Sequence, residues 1–578
     1  MEPVAAAILV SWRTTMASDG ERRRDGLDGR AAGDGRRDGF DVDWVVVGSG
    51  FGGSVSALRL REKGYSVTVL ESGRRFADDE LPRSTWDLRR YFWAPYLGMR
   101  GILRMTTFRH VAVLTGAGVG GGSLGYANTL YRAPEGFYSD PQWAGLEDWA
   151  SALAPHYAEA ERMLGAVEVT ADDPADQLLR EFGAEIGADR TYAKTRVGVF
   201  FGPPGQTVPD PYFGGAGPPR TGCLLCGRCM VGCPHNAKNT LVKNYLWFAE
   251  RDGVTIEPDR TVIDIRPLGA PDGADGYAVT SVRSGAWWRR DKRVHRARGV
   301  VVAAGALGTN RLLARAKLNG SLPRISDRLG EIVRTNSEAI LAVTLPDGAS
   351  EMTKRVAISS SVYPDADTHI ETVTYGDAGG AMASLFTLLT GDGTRLTRPL
   401  RLAGALLRHP LQALRTLNPI GWSRNTIIVL VMQTLDNAIA LRARRLPGGA
   451  VWLRTEQDPE RPIPSFLPVA NQFAAWLAER TGGLAQSSLF EAVANIPSTA
   501  HILGGAVIGP DPSRGVVDAR QRVYGYRNLL VCDGAAVPAN VGVNPSLTIT
   551  ALAEHAMSHV PRKDDDGQNT WALSQLLA

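Results

Sequence analysis

The apolar positions of this chain change their period along its length. Val42 to Val47 is a strand-length run, rich in Val and broken only by Asp43. Val55 to Lys63 then reads as a helix and Tyr65 to Leu70 as a second strand. Gly299 to Gly305 is another buried strand that runs into a Gly turn. Near the far end a strand rises from Tyr526 to Asp533, and a helix starts at Pro545, where a missing N–H costs nothing. Between these lie four strand candidates, Glu338–Leu345, His369–Tyr375, Thr426–Thr434 and Val451–Thr455, consistent with a mainly antiparallel sheet. No apolar run approaches the ~18 residues a membrane span needs, and Thr426–Met432 is far too short. No internal repeat is evident.

Composition narrows the classes. With 578 residues the chain exceeds one ordinary core, and 44% hydrophobic with 21% charged residues is a globular balance. A net charge of +4, from 64 basic and 60 acidic residues, is too even for nucleic-acid binding by charge alone. Residues 1–40, rich in Arg, Asp and Gly, and 563–578 read as tails. The short apolar stretch Val4–Val10 lacks a basic flank and a cleavage site, so no conventional signal peptide is read; Met16 is an alternative start. The expected location is the cytoplasm or a membrane periphery, with secretion left open.

The first strand is followed at once by Gly48-Ser-Gly50-Phe-Gly52-Gly53, and the second ends in Glu71. Strand, G-x-G-x-x-G, helix, strand and acid form a dinucleotide-binding unit. Gly48 makes the tight turn, Gly50 lets the backbone approach a pyrophosphate, and Gly53 brings the helix close to the strand. The helix N-terminus attracts phosphate, and Glu71 is placed to bond ribose hydroxyls. The acid argues against NADP; the motif alone does not separate FAD from NAD.

Further segments follow in order: Gly116-Ala-Gly118-Val-Gly120-Gly121-Gly122-Ser123-Leu124, the Gly299–Thr309 turn, His501-Ile-Leu-Gly-Gly505, Asp533-Gly534, and Gly542-Val-Asn544-Pro545. Together they resemble the glucose-methanol-choline (GMC) family of FAD oxidoreductases over roughly 41–560, and within it the sterol-oxidising members of the longer, mycobacterial type. The resemblance implies an α/β plus antiparallel β fold. A discontinuous Rossmann-like FAD-binding domain is expected over 41–135, 220–333 and 490–562. A substrate domain on a mainly antiparallel sheet is expected over 136–219 and 334–489. By similarity Gly48, Gly50, Gly53, Glu71, Gly121, Gly122, Ser123, Asp533 and Gly534 hold FAD, and Val262 meets the adenine.

By the same motif match His501 and Asn544 face the flavin. Alcohol oxidation moves a hydride to flavin N5 and a proton to a base, which suits a His; a neutral amide orients the hydroxyl and holds developing negative charge. Taken alone, His501 would read as a core histidine and Asn544 as a helix N-cap. The implied substrate is a sterol 3β-hydroxyl, as in cholesterol, or another bulky lipid alcohol, with O2 or an electron carrier as acceptor. The sterol members also use a Glu to shift a double bond. Here the corresponding stretch, Asn418–Asn425, has no acid until Asp436. Glu338 and Glu371 lie on other strands without a supporting motif, so isomerisation is left without an assigned base.

Four of the five cysteines lie in Cys223-Leu-Leu-Cys226-Gly-Arg-Cys229-Met-Val-Gly-Cys233-Pro234, within a Cys-rich loop at 223–234. C-x2-C-x2-C-x3-C-P is the bacterial ferredoxin spacing and predicts a [3Fe–4S] or [4Fe–4S] cluster; zinc, disulfides or free thiols are the alternatives. A cluster would favour electron transfer to a carrier over use of O2. Two stretches suggest peripheral membrane contact: the aromatic Tyr91–Met105, and the acid-free segment Thr394–Thr426. The second carries leucines 400, 407, 411 and 414 at helical spacing with interspersed Arg. A Leu face covering the core is the alternative for that helix.

Overall fold

In a computed structural model of the chain, which describes residues 39–565 apart from residue 349, Val42–Val47 is the fully buried centre of a seven-stranded sheet. The tails expected at 1–40 and 563–578 fall almost wholly outside the described residues. Thr255–Glu257, Val67–Leu70, Val42–Val47 and Arg293–Val302 lie side by side in parallel, with Val45 opposite Thr68 on one side and Val300 on the other. Leu529–Val531 adds a further parallel strand, and Tyr277–Arg283 with Arg260–Pro267 extends the sheet as an antiparallel meander. Helix Phe51–Glu62 packs on helix Ser546–Ser558, which brings an early and a late segment of the sequence together. Strands covered on both faces need no polar alternation, so the Val-rich runs are near-continuous.

The second seven-stranded sheet is antiparallel throughout. Its order is Phe386–Leu388, Leu484–Ser488, Ala339–Thr344, Thr426–Gln433, Thr368–Val373, Ile358–Val362 and Ala193–Lys194. Leu341, Val343, Ile427 and Val429 pack beneath helices Pro174–Glu185 and Pro468–Thr481. Ile358, Val373, Ile428 and Leu430 occupy the other face and line an internal cavity. Val451–Gln457, expected among these antiparallel strands, instead belongs to a separate four-stranded sheet with Ile439–Arg445, Val333–Arg334 and Leu503–Gly504. Its partner is the preceding strand, reached through the tight turn at 446–450 closed by Leu446 N–H to Ala450 O at 2.8 Å, so the local hairpin wins.

Candidate active site

The cavity, about 820 Å³, runs from the ends of the parallel strands to the inner face of the antiparallel sheet. At the first end Gly48 has φ +99° and lies against the Ala303 carbonyl, where a Cβ has no room. Gly53 lies as tightly against the Gly48 carbonyl, and Gly52 against that of Cys532. Gly121, at φ +53°, faces Gly50 so closely that a side chain on it would press into the Gly50 Cα. Two glycine loops thus form a cradle of bare backbone at a helix N-terminus, the arrangement a pyrophosphate requires. Glu71 lines the cavity and accepts from Ser49 N–H (3.0 Å), Ser49 Oγ–H (2.8 Å) and Gly73 N–H (2.7 Å). Val262 lines the same end.

Asp533 and Gly534 also border the cavity. Asp533 accepts from Gly305 N–H and Ala535 N–H, each at 2.8 Å, and from Thr309 Oγ–H at 2.5 Å. Burial pushes its carboxyl up to about 6 against the pull of these donors. Ser123 is placed differently. Its hydroxyl donates to Gly120 O at 2.7 Å and accepts from Leu241 N–H at 3.1 Å, so it anchors the glycine loop and does not line the cavity.

His501 and Asn544 meet where the glycine cradle opens onto the apolar sheet face. Asn544 Nδ2 lies 3.4 Å from His501 Nε2. The imidazole Nδ1 is held by Glu338, whose other oxygen accepts Ala500 N–H at 2.9 Å. This network assigns the proton to Nδ1 and leaves Nε2 as acceptor. Burial opposes the imidazolium, but Glu338 and then Glu371 outweigh it and raise the His501 pKa. Asn544 caps nothing: the helix N-cap is Pro545, and the buried Asn544 Oδ1 has no hydrogen-bond partner among the described residues. An amide oxygen left open in this cleft is available to a bound molecule.

Glu338 therefore serves His501 and is not a free acid over the cavity. Glu371 is buried on the same strand face as Val373, which lines the cavity, and neither of its oxygens has a hydrogen-bond partner among the described residues. Burial pushes its pKa up to about 8, against the pull of His501, Tyr131 and Asn544 beyond hydrogen-bond distance. The stretch Asn418–Asn425, a loop that ends in the short helix Trp422–Asn425, supplies no acid; the carboxyl comes from strand Thr368–Val373. The aromatic stretch Tyr91–Met105 is mostly internal: Tyr91 and Trp93 are buried and line the cavity, while Tyr96 and Leu97 are exposed.

The four loop cysteines line a separate small cavity. Among the described residues, however, no group of three or more His, Cys, Asp or Glu side chains is arranged to hold a metal ion. The cluster predicted from the spacing thus has no formed ligand set. Spacing sets the order of thiols along the chain; it does not by itself fix the geometry a metal ion needs. Cys223, Cys229 and Cys233 pack beside Val197, Val199 and Val356. Burial pushes the Cys223 thiol up to about 12 and Cys229 up to about 11. Sequence reading missed Lys238. Wholly buried, it donates to the carbonyls of Leu124 (3.0 Å), Tyr126 (2.8 Å) and Cys229 (2.8 Å), which ties the cysteine loop to the glycine loop. Carbonyl acceptors leave no mark in a sequence.

A cradle of bare glycine backbone and a His–amide pair line one cavity. Residues 220–331 and 454–553 match the family models described as GMC oxidoreductase, and 46–78 match an NAD(P)-binding Rossmann-like domain. The chain is 50% identical over 539 residues to a cholesterol oxidase of Mycobacterium tuberculosis, covering 91% of this chain and 92% of that one. It is 46% identical over 532 residues to a cholesterol oxidase of Acinetobacter baumannii, covering 91% and 95%. The solved pyridoxine 4-oxidase from Mesorbium loti shares the fold, with a TM-score of 0.57 at 15% identity over 90% of this chain and 99% of that one. The chain belongs to the GMC oxidoreductase family and is an FAD-dependent alcohol oxidoreductase.

Proposed function

We propose that the protein oxidises the 3β-hydroxyl of a sterol. The observation that carries this reading is the position of the His501–Asn544 pair, between the glycine cradle and a chamber walled by Ile340, Ile358, Val373, Phe386, Ile428 and Leu430. A rigid, bulky, apolar alcohol fits such a chamber, with its one hydroxyl at the polar end. The relatives named cholesterol oxidase support the same substrate class.

When bound, FAD supplies the hydride acceptor. His501 Nε2 takes the hydroxyl proton, and the resulting imidazolium is stabilised by Glu338 at Nδ1. Asn544 orients the hydroxyl oxygen through its amide and bears no charge that would oppose hydride departure. The apolar walls keep water from the reacting carbon. Glu371, facing His501 and Asn544, supplies a carboxyl poised near neutrality for a subsequent double-bond shift.

The test is an anaerobic visible titration of the purified flavoprotein with cholesterol, followed by air. Bleaching of the flavin bands by cholesterol supports the reading. Recovery in air with peroxide identifies O2 as the acceptor, and absence of recovery identifies a carrier. A flavin that stays oxidised with excess cholesterol overturns the sterol assignment.

A further inference from the structure

We propose that the helical hairpin Thr397–Arg408 and Pro410–Thr416, with the adjoining Trp86 turn, docks on the surface of an anionic lipid bilayer. The helices do not cover the core with their leucines. Leu396, Leu400, Leu407, Leu411, Leu414 and Ile420 all face solvent; Leu407 is 82% exposed and Ile420 84%. The residues the first helix buries are Arg398 and Leu402. Arg398 donates to Ser465 O at 2.7 Å and Asn495 Oδ1 at 3.0 Å, and pairs with the buried Glu491 at 3.5 Å. That anchor sets the rotation of the helix and holds its apolar stripe outward. So many large aliphatic side chains in one exposed segment mark an interaction surface.

Charge selects the partner. Residues 394–425 contain no acid. Arg408 and Arg415 are exposed and make no ion pair among the described residues. Leucines flanked by unpaired arginines match a bilayer interface, where the chains enter the acyl boundary and the guanidinium groups meet anionic headgroups. A second copy fits less well, because a self-complementary contact would set arginines against arginines with no acid to pair them.

The surface is also continuous with the chamber. Trp86, 57% exposed, lies over Gly380 beside the Pro419 carbonyl, next to Ile420. Met382 and Leu385, in the same turn as Gly380, line the chamber. The two helices pack on strand Phe386–Leu388 and helix Leu489–Ala494, from which Phe386 and Phe490 line it as well. The docked face is thus the outer side of the chamber wall. Docking itself rests on this surface; its purpose, delivery of a membrane-resident alcohol, rests on the sterol reading.

The experiment is cosedimentation of the flavoprotein with sterol-free vesicles, either pure phosphatidylcholine or with roughly 30% phosphatidylglycerol. Wild type is expected to bind the anionic vesicles at least tenfold more tightly and to lose that preference in about 0.5 M NaCl. Leu407→Glu with Leu411→Glu should weaken binding at least tenfold. Arg408→Gln with Arg415→Gln should abolish the anionic preference. Both pairs should keep the flavin spectrum and unfolding temperature of wild type. Vesicle binding that is absent in wild type, or unchanged in both pairs, overturns the proposal. So does a dimer, without vesicle binding, that Leu407→Glu with Leu411→Glu dissolves. Vesicle binding in a protein whose flavin ignores cholesterol would sink the sterol reading and leave docking standing.

Discussion

Glu338 holds His501 across 163 residues of sequence, one carboxylate oxygen on the imidazole Nδ1 and the other on the N–H of Ala500. One side chain therefore sets the tautomer, the ring orientation and the loop that carries the ring.

This pairing predicts a pH effect. His501 acts as a base only when neutral, and its pKa is raised, so kcat/KM should fall as pH drops through that pKa. Glu338→Gln removes the charge that raises it, so the acidic limb should move to lower pH. The plateau kcat should fall about ten- to hundredfold as the tautomer is no longer held. Stability carries the opposite pH sense: the pair stabilises the fold below the ordinary His pKa, and that contribution is lost as pH rises through the raised one. An acidic limb that stays in place would show that Glu338 does not govern His501.

Removal of the reacting pair should separate chemistry from binding. His501→Ala is expected to lower kcat by about 10²–10⁴. Asn544→Leu should lower it by about 10². Both should retain flavin, because neither residue is in the glycine cradle. Stopped-flow flavin reduction reads the chemical step directly, and rates within a few-fold of wild type would exclude the assigned roles.

Glu371 gives a stability signature independent of activity. The native carboxyl keeps its proton up to about 8, whereas an unfolded Glu releases it near 4.5. The native state binds more protons across that window, so stability should fall as pH rises through it. Glu371→Gln keeps the shape without the charge, and urea unfolding should show a flatter profile. In product analysis the same variant should oxidise sterol but yield a larger share of unshifted double bond.

Gly121→Val tests the cradle. The residue sits at φ +53°, and its new side chain would meet Gly50. Flavin retention, read as the ratio of flavin to protein absorbance, should fall at least tenfold, with about 1–3 kcal/mol of backbone strain visible in thermal unfolding.

Leu430→Trp tests the chamber. Leu430 lines its wall. An indole there should raise KM for a bulky alcohol about tenfold while leaving flavin content unchanged. An unaltered KM would place the substrate elsewhere.

The parts whose demands are local are legible in the sequence. A tight turn at Gly48, bare backbone at Gly50 and Gly121, an acid after the second strand and an Asp before a glycine turn each answer to steric or hydrogen-bonding needs met within a few residues, so they are visible as spacing. His501 and Asn544 were legible only through the order of the surrounding motifs. Features that depend on encounters between distant strands emerge only from the assembled fold. It gave Glu338 to His501, left Glu371 as the unpaired acid, turned Ser123 toward Leu241 and kept the four thiols from forming a ligand set. It also turned the Leu stripe of 396–420 outward. The amphipathic pattern was plain in the sequence, but which face is buried depended on Arg398 finding Glu491, 93 residues further along the chain. Burial and charge pairing are properties of the assembled neighbourhood, and a linear pattern does not contain them.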